Sequence, residues 1–538
     1  MSYPDSMGGA VDRRRFLQAG AVGAAGLVSA RFLAACAPMP GSTTIPFVDP
    51  IWDCGVASGL HSADAAVLWT RCAPAATAAV DLTWEVSTTP TFTSLAADGV
   101  VTADPDRDGC AKVLAGGLTP GTTYWYRFRI GTESSPVGRT RTPAAAGTTP
   151  DRVRLAVASC QNYQSGFYSA WRDLAATDLD AVLHVGDYIY ESGSSRTGVR
   201  PDPVGAATDL ATYRAKYRLY RSDPQLRAAH AAHAFAIVWD DHELVNNCSR
   251  ATILEDPARA EAAYRAWFEY QPVWPIDGTR TYRRTRFGDL VDLSLLDTRQ
   301  YRDAPPGEGA GVGGYIVPGG IGPEIYRSGR TILGEAQRDW LVDGLAAAQD
   351  DGVRWKLVGN QVMIAPTRLI DLDEPALRAL QPDLPEHAGV YLNEDAWDGF
   401  QVERDTVLES ARTNGVTNLG FLTGDIHSFW QAALRADFDD PRSPVVGQEF
   451  VCGSVSSSGP DLAGYELARA LGDAAKQLKP GFRYVDLARR GVGVVTCTPE
   501  RASVEFRVTS AAGPLSEVRR GSVFDWQADT SNVALTPG

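Results

Sequence analysis

Strand-length apolar runs, each stopping at a small knot of polar residues, constrain this chain more than any other feature. Arg154 to Cys160 ends on a thiol, and Ala181 to Glu191 carries Asp187 and Tyr190. Ala234 to Asn247 carries Asp240, Asp241, His242 and Asn247. Lys356 to Gln361 ends on two amides, and Leu419 to His427 carries Asp425 and His427. Runs of this kind, bounded by Gly and polar residues, read as buried strands of an α/β sheet. In such sheets ligands collect beyond the carboxyl ends of the strands. The pattern therefore predicts thiol, carboxylate, phenol, amide and imidazole groups converging on one crevice. That donor mixture suits metal ions, and paired metals are a recurring means of hydrolysing phosphate esters.

At 538 residues the chain exceeds one ordinary core, so two or more domains are expected. Its formal charge of −14 argues against a broad attraction to nucleic acid. The 8 cysteines are scattered and include no CxxC pair, which argues against a zinc knuckle.

Residues 1–36 read as an address. Arg13-Arg14-Arg15-Phe16-Leu17 precedes a weakly apolar run from Ala19 to Ala30, a pattern that resembles a Tat export signal. Leu33-Ala34-Ala35-Cys36 resembles a lipobox, and Ala35-Cys36-Ala37 also fits ordinary cleavage. The expected destination is export by Tat to a periplasmic, cell-surface lipoprotein or secreted state, with membrane contact only through a lipid on Cys36. No later run is long and apolar enough for a membrane span.

From 45 to 143 the chain alternates with a strand period, as in Leu82-Thr83-Trp84-Glu85-Val86 and in Thr122 to Phe128. This predicts a small all-β domain like a fibronectin or immunoglobulin sandwich, its aromatics in the core. Residues 144–152 read as a linker, 153–515 as the catalytic domain and 516–538 as a C-terminal tail. Within the catalytic stretch Phe167 to Ala176, Glu261 to Tyr270 and Leu333 to Gln349 read as helices. The Gly/Pro-rich insert from Pro305 to Gly329 follows no strand and opens no helix, so a P-loop reading fails and a mobile surface loop is expected.

Taken singly, most of these clusters have a plain alternative. A strand-ending Gly-Asp is usually a turn, Asp240-Asp241 could be a solvated acidic turn, and Cys160 could be an inert core thiol. Longer patterns are more specific. Gly186-Asp187-Tyr188-Ile189-Tyr190-Glu191 joins a carboxylate able to bridge two cations to a phenol suited to a trivalent ion. Asp425 and His427, two apart, share one side of an extended segment. Arg299 and Arg302, after a further apolar run, are candidates to clamp phosphate bidentately. Asp173, on the helix expected upstream, should lie on a solvated face.

Together Ala158-Ser159-Cys160-Gln161, Gly186 to Glu191, Trp239 to Asn247, Gly359-Asn360-Gln361 and Thr423 to His427 resemble the PhoD-like alkaline phosphatases. The resemblance takes in the N-terminal sandwich and the export signal. It implies a metallophosphoesterase core, two sheets flanked by helices, with Fe(III) and Ca(II) at its centre. By that resemblance Cys160, Tyr190 and His427 would hold iron, and Asp187 would bridge iron to calcium. Asp240, Asn247 and Asp425 would supply calcium oxygens, with Asp241 and Asn246 open as alternatives within their doublets. The implied activity is hydrolysis of phosphate monoesters and possible diesters by a metal-activated water, with His242 as acid for the leaving group or as an orienting residue. A phospholipase D or other phosphodiesterase on the same fold is the alternative. A lipid-anchored phosphate-binding protein is the non-catalytic rival, but an acidic cluster without metals would repel its ligand.

Overall fold

The computed structural model describes residues 50–193, 198–306, 323–371, 375–380, 382, 389–391, 393–440, 442–478 and 481–538. The expected export signal and most of the Gly/Pro-rich insert lie outside the described residues. Two mixed sheets face each other. In the first, Val153–Ala158, Ala181–Val185, Ala234–Val238 and Val56–Ser62 run parallel side by side. In the second, Val291–Leu295, Trp355–Asn360, Leu419–Thr423 and Val445–Val451 form the parallel centre, with antiparallel strands at both edges. Parallel strands are buried on both faces, which is why apolar residues dominate most of these segments.

Leu155, Val157, Leu183, Val185 and Val238 of the first sheet pack against Leu293, Leu295, Leu357, Leu422 and Phe450 of the second. Helices cover the outer faces. Ser169–Ala175, Leu210–Arg221, Pro224–Ala232 and Pro257–Tyr270 lie on the first sheet, Glu335–Asp350 and Gln401–Thr413 on the second. The three helices expected from sequence are present. Helix Leu210–Arg221 begins at a capping box in which the Asp209 carboxylate accepts from Thr212 N and the Thr212 hydroxyl answers Asp209 N. Its Tyr213, Tyr217 and Tyr220 form a buried aromatic stripe at helical spacing.

The sandwich expected over 45–143 is all-β, and Tyr124, Tyr126 and Phe128 fill its core as alternation predicts. It is not a separate unit, however. Strands Val56–Ser62, Ala65–Arg71 and Cys110–Ala115 continue the first sheet, through Ser58 and Gly59 in register with Ala234 and Phe235. The stretch 144–152 is pinned rather than loose: Gly288 N donates to Ala144 O at 3.0 Å and Asp289 N to Thr148 O at 2.7 Å. Nor is 516–538 a tail. Val518–Gln527 pairs along Arg501–Thr509 and Val533–Thr536 completes the edge, placing Phe524 and Trp526 in the core. Among the described residues, no helix is long and apolar enough to cross a membrane.

Candidate metal centre

The carboxyl ends of both parallel sets open onto the same rim. Cys160 follows Val153–Ala158, Asp187 and Tyr190 follow Ala181–Val185, and Asp240 to Asn247 follow Ala234–Val238. From the second sheet come Asp297 and Arg299 after Val291–Leu295, and Asp425 and His427 after Leu419–Thr423.

The backbone is bent sharply to present them. Of the 10 non-glycine residues with positive φ among the described residues, five are Cys160, Asp187, Asn247, Asp425 and His427. A side-chain-bearing residue in that region is uncommon and costs of the order of 1 kcal/mol or more, so such clustering marks a functional turn rather than a relaxed one. Two glycines permit the crowding. A Cβ on Gly186 would stand 2.3 Å from that of Asp240, and one on Gly424 would stand 2.6 Å from Ser159 Oγ.

Three overlapping groups result among the described residues. Cys160, Asp187 and His427 bring sulfur, oxygen and nitrogen within one ion's reach; Asp187 with Asp241 and His242, and Asp240 with Asp241 and Asp425, form adjoining sets. Tyr190 Oη completes the first, 2.7 Å from Asp187 Oδ2 and 3.0 Å from His427 Nε2. His427 Nδ1 lies 2.7 Å from the Ser458 carbonyl and donates to it, which leaves the Nε2 lone pair facing Tyr190. Burial holds this imidazole down to about 3, so it stays neutral as a ligand must. Asn247 N donates to Asp241 Oδ2 at 2.5 Å, fixing the loop that carries the amide.

The electrostatics call for a cation. Burial, followed by neighbouring carboxylates, pushes Asp187 and Asp425 well above the usual carboxylate range and Asp240 up to about 6. Burial, and then Asp187, pushes the Cys160 thiol up as well. Buried Asp240 Oδ2 has no hydrogen-bond partner. A multivalent ion among these donors would reverse each penalty and give that orphaned oxygen a partner. The thiol–phenol–imidazole set suits a trivalent transition ion, and the carboxylate–amide set suits an oxygen-seeking divalent one.

Arg299 and Arg302 turn inward, which alters the expected phosphate clamp. Arg299 is buried between Asp240, Asp395 at 2.5 Å and Asp425 at 3.2 Å. Arg302 donates to Asp395 Oδ1 at 2.6 Å and to the carbonyls of Cys248, Asn247 and Asp395. Both hold carboxylates and loop carbonyls rather than facing an open anion site. Asn360 and Gln361 are likewise structural: Gln361 donates to Trp239 O and Leu296 O, and Asn360 to Val362 O.

His242 is held at the edge of this cluster by Glu191 and Tyr190. Its Nδ1 lies 2.7 Å from Glu191 Oε2, and its ring lies tilted against that of Tyr190, centroids 4.1 Å apart. Burial opposes its charge, but Asp241, Asp187 and Glu191 outweigh burial and raise it well above the ordinary histidine value.

Four participants escaped sequence reasoning. Glu243 accepts from Tyr188 N at 2.6 Å, Asp240 N at 2.8 Å and Asp187 N at 3.1 Å, pegging two ligand loops together. Glu191 orients His242, and both glutamates lay inside the recognised motifs without a sign of their direction. Asp395 comes from a loop with no long apolar run before it, and Ser457, 2.8 Å from Tyr190 Oη, lies six residues beyond strand Val445–Val451, whose Gln448 and Glu449 interrupt its apolar pattern.

The PhoD-like phosphatase family model matches residues 155–506, and its N-terminal domain model matches 39–144. The chain is 32% identical to alkaline phosphatase D of Bacillus subtilis (strain 168) over 97% of its own length and 88% of that protein. A solved structure of PhoD superimposes with a TM-score of 0.80 at 30% identity, over 93% of this chain and 94% of that one. Purple acid phosphatase PPD1 from yellow lupin shares the fold at 11% identity, with a TM-score of 0.54 over 88% of this chain and 73% of that one.

Proposed function

The chain belongs to the PhoD-like phosphatase family and is a phosphoric ester hydrolase; on that premise we propose an exported Fe(III)- and Ca(II)-dependent enzyme that hydrolyses phosphate monoesters and diesters. One observation carries the two-ion reading: Asp187 belongs both to the Cys160–His427 group and to the adjoining group with Asp241 and His242, and Asp241 in turn joins Asp240 and Asp425. A single carboxylate in both sets is what two bridged cations require. Cys160, Tyr190, His427 and Asp187 would hold iron; Asp187, Asp240, Asn247 and Asp425 would hold calcium, with Asp241 fixing the Asn247 loop. Bound there, the ions supply the Lewis acidity that makes a water nucleophilic and offsets charge on the phosphoryl oxygens.

The chain's own groups do the rest. Glu243 keeps the Asp187 and Asp240 loops together, and Arg299 with Arg302 keeps Asp240, Asp395 and Asp425 from splaying apart. Glu191 engages His242 Nδ1, leaving Nε2 as the nitrogen that can deliver a proton to the departing alcohol. The twin-arginine segment supports export by Tat, and Cys36 is the residue that would carry a lipid anchor.

Metal analysis of the purified protein tests this reading. Iron and calcium should both be present, with a visible absorption band from the phenolate and thiolate. EGTA should abolish hydrolysis, and calcium should restore it. Colourless, fully active protein free of iron would sink the assignment.

A further inference from the structure

The serine-rich run after strand Val445–Val451, Cys452-Gly453-Ser454-Val455-Ser456-Ser457-Ser458-Gly459, forms neither helix nor strand. It is nevertheless buried: Ser454, Val455, Ser456 and Ser457 are each at most 1% exposed. A buried irregular segment has to place its polar groups on partners elsewhere. This one places them on the loops that carry the thiol, phenol and imidazole. Val455 N donates to Ser159 O at 3.0 Å and Ser457 N to Cys160 O at 3.1 Å. Ser458 O accepts from His427 Nδ1, and a Cβ on Gly459 would stand 2.7 Å from His427 O. Strand Arg490–Cys497 fastens the strap from its other side, Arg490 Nη1 donating to Ser456 O and Gly491 N to Ser454 O at 2.8 Å each.

Within the strap, Ser457 Oγ lies 2.8 Å from Tyr190 Oη and 2.7 Å from Cys160 O, and it accepts from Asn162 N at 3.0 Å. The hydroxyl has one hydrogen to give and two oxygens within reach. A neutral Tyr190 brings a hydrogen of its own, so the 2.8 Å contact is satisfied with either residue as donor. A Tyr190 that binds a cation through Oη has given that hydrogen up. The contact then holds only if Ser457 donates. Turning the hydrogen from Cys160 to Tyr190 strands no group, because Cys160 O still accepts from Ser457 N.

We propose that Ser457 is a positioning residue for the iron half of the centre: it donates its hydroxyl hydrogen to the Tyr190 oxygen, holding that oxygen in place and drawing electron density from it. The inference rests on the iron reading above and deepens it by naming the residue that sets the donor strength of the phenolate. Hydrogen bonds to an ionised oxygen are shorter and stronger than neutral ones. Partners of this kind, one step out from the metal, orient the ligand and tune the ion it binds. Density drawn from the phenolate widens the energy gap across which its charge passes to Fe(III). The visible band of the wild type therefore sits at shorter wavelength than it would without the serine.

The test uses the full chain loaded with iron. Ser457→Ala should move the visible band to longer wavelength and hold iron about tenfold more weakly in competition with a chelator. Ser456→Ala is the control: its hydroxyl donates to Asn162 O at 2.8 Å, so losing it loosens the same strap while the band stays at the wild-type wavelength. The wild type gives a second reading that needs no variant. After equilibration in heavy water its phenolate C–O stretch, followed by resonance Raman, should shift, because the hydrogen it accepts has become deuterium. An unmoved band in Ser457→Ala would overturn the proposal and leave the hydroxyl on Cys160 O. A stretch insensitive to heavy water, or a band that Ser456→Ala moves as far as Ser457→Ala, would overturn it as well. Wild type that takes up no iron and shows no band would overturn the iron reading and this inference together, whereas the other three outcomes strike the serine alone.

Discussion

Asp187 is the residue on which both proposed cation positions depend, and Asp187→Asn keeps its shape while removing its charge. Two cations then face each other with less between them, in a site where screening is poor. Calcium occupancy should fall and turnover should drop at least about 100-fold, with the far-UV circular dichroism unchanged. Asp173 is not the control its position suggests, because its carboxylate pairs with Arg507 at 2.6 Å and ties its helix to strand Arg501–Thr509. Glu409, exposed on helix Gln401–Thr413, serves better, and its Gln variant should match wild type. An equal loss in both variants would make Asp187 an ordinary fold-stabilising acid. Glu191 acts at one remove. Glu191→Gln should lower kcat about tenfold with little change in KM, since it holds His242 rather than substrate. In a His242→Asn background the same substitution should cost nothing further. Independent, additive losses in that cycle would show Glu191 working through something else.

At the scale of elements, the parallel strands were legible because burial on both faces leaves continuous apolar runs. The ligand turns were legible because each begins where such a run stops. Helix Leu210–Arg221 was not, since its buried stripe is made of tyrosines rather than aliphatic residues and carries Arg and Lys between them. Asp395 was hidden for a related reason, since no long apolar run precedes it, and Ser457 because the strand before it, Val445–Val451, carries Gln448 and Glu449 and so breaks the apolar run. Glu449, on strand Val445–Val451, had no sequence signature either. Its carboxylate accepts from Ile364 N, Ala365 N and the Thr423 hydroxyl, supporting the strand that leads to Asp425. Burial nevertheless pushes it up to about 7. A carboxyl raised in the fold binds more protons there than in the unfolded chain between about pH 4.5 and 7. Stability should therefore fall as pH rises through that window, by as much as about 3 kcal/mol through this group. Denaturation at a series of pH values would show it: Glu449→Gln should flatten the slope across the window, and an unchanged slope would remove Glu449 as its source.

For the whole molecule, the division into sandwich, linker, catalytic domain and tail followed the changes of periodicity along the sequence. Hydrogen bonding ignores those changes. One sheet runs from Cys110–Ala115 at one edge, through the strands that carry Cys160, Asp187 and Asp240, to Val533–Thr536 at the other. Residues 516–538 read as a tail because the polar run Arg519-Arg520-Gly521-Ser522 interrupts the alternation before Val523. Yet Phe524 and Trp526 reach the core between the sheets, where Trp526 meets Trp355 edge-on at 5.1 Å and Phe524 meets Phe450 at 5.8 Å. Ending the chain at Leu515 would strip these rings away and expose the full length of Arg501–Thr509, together with Phe506, as an unpaired edge. Losing either aromatic from a packed core costs about 3–5 kcal/mol, and both together approach the whole stability of a typical domain. The truncated protein should therefore be insoluble or bind a hydrophobic dye, and should bind neither iron nor calcium, although every proposed ligand is still present. A soluble, metal-loaded truncation with a wild-type melting temperature would restore the tail reading and leave the last two strands as an ornament on an independent core.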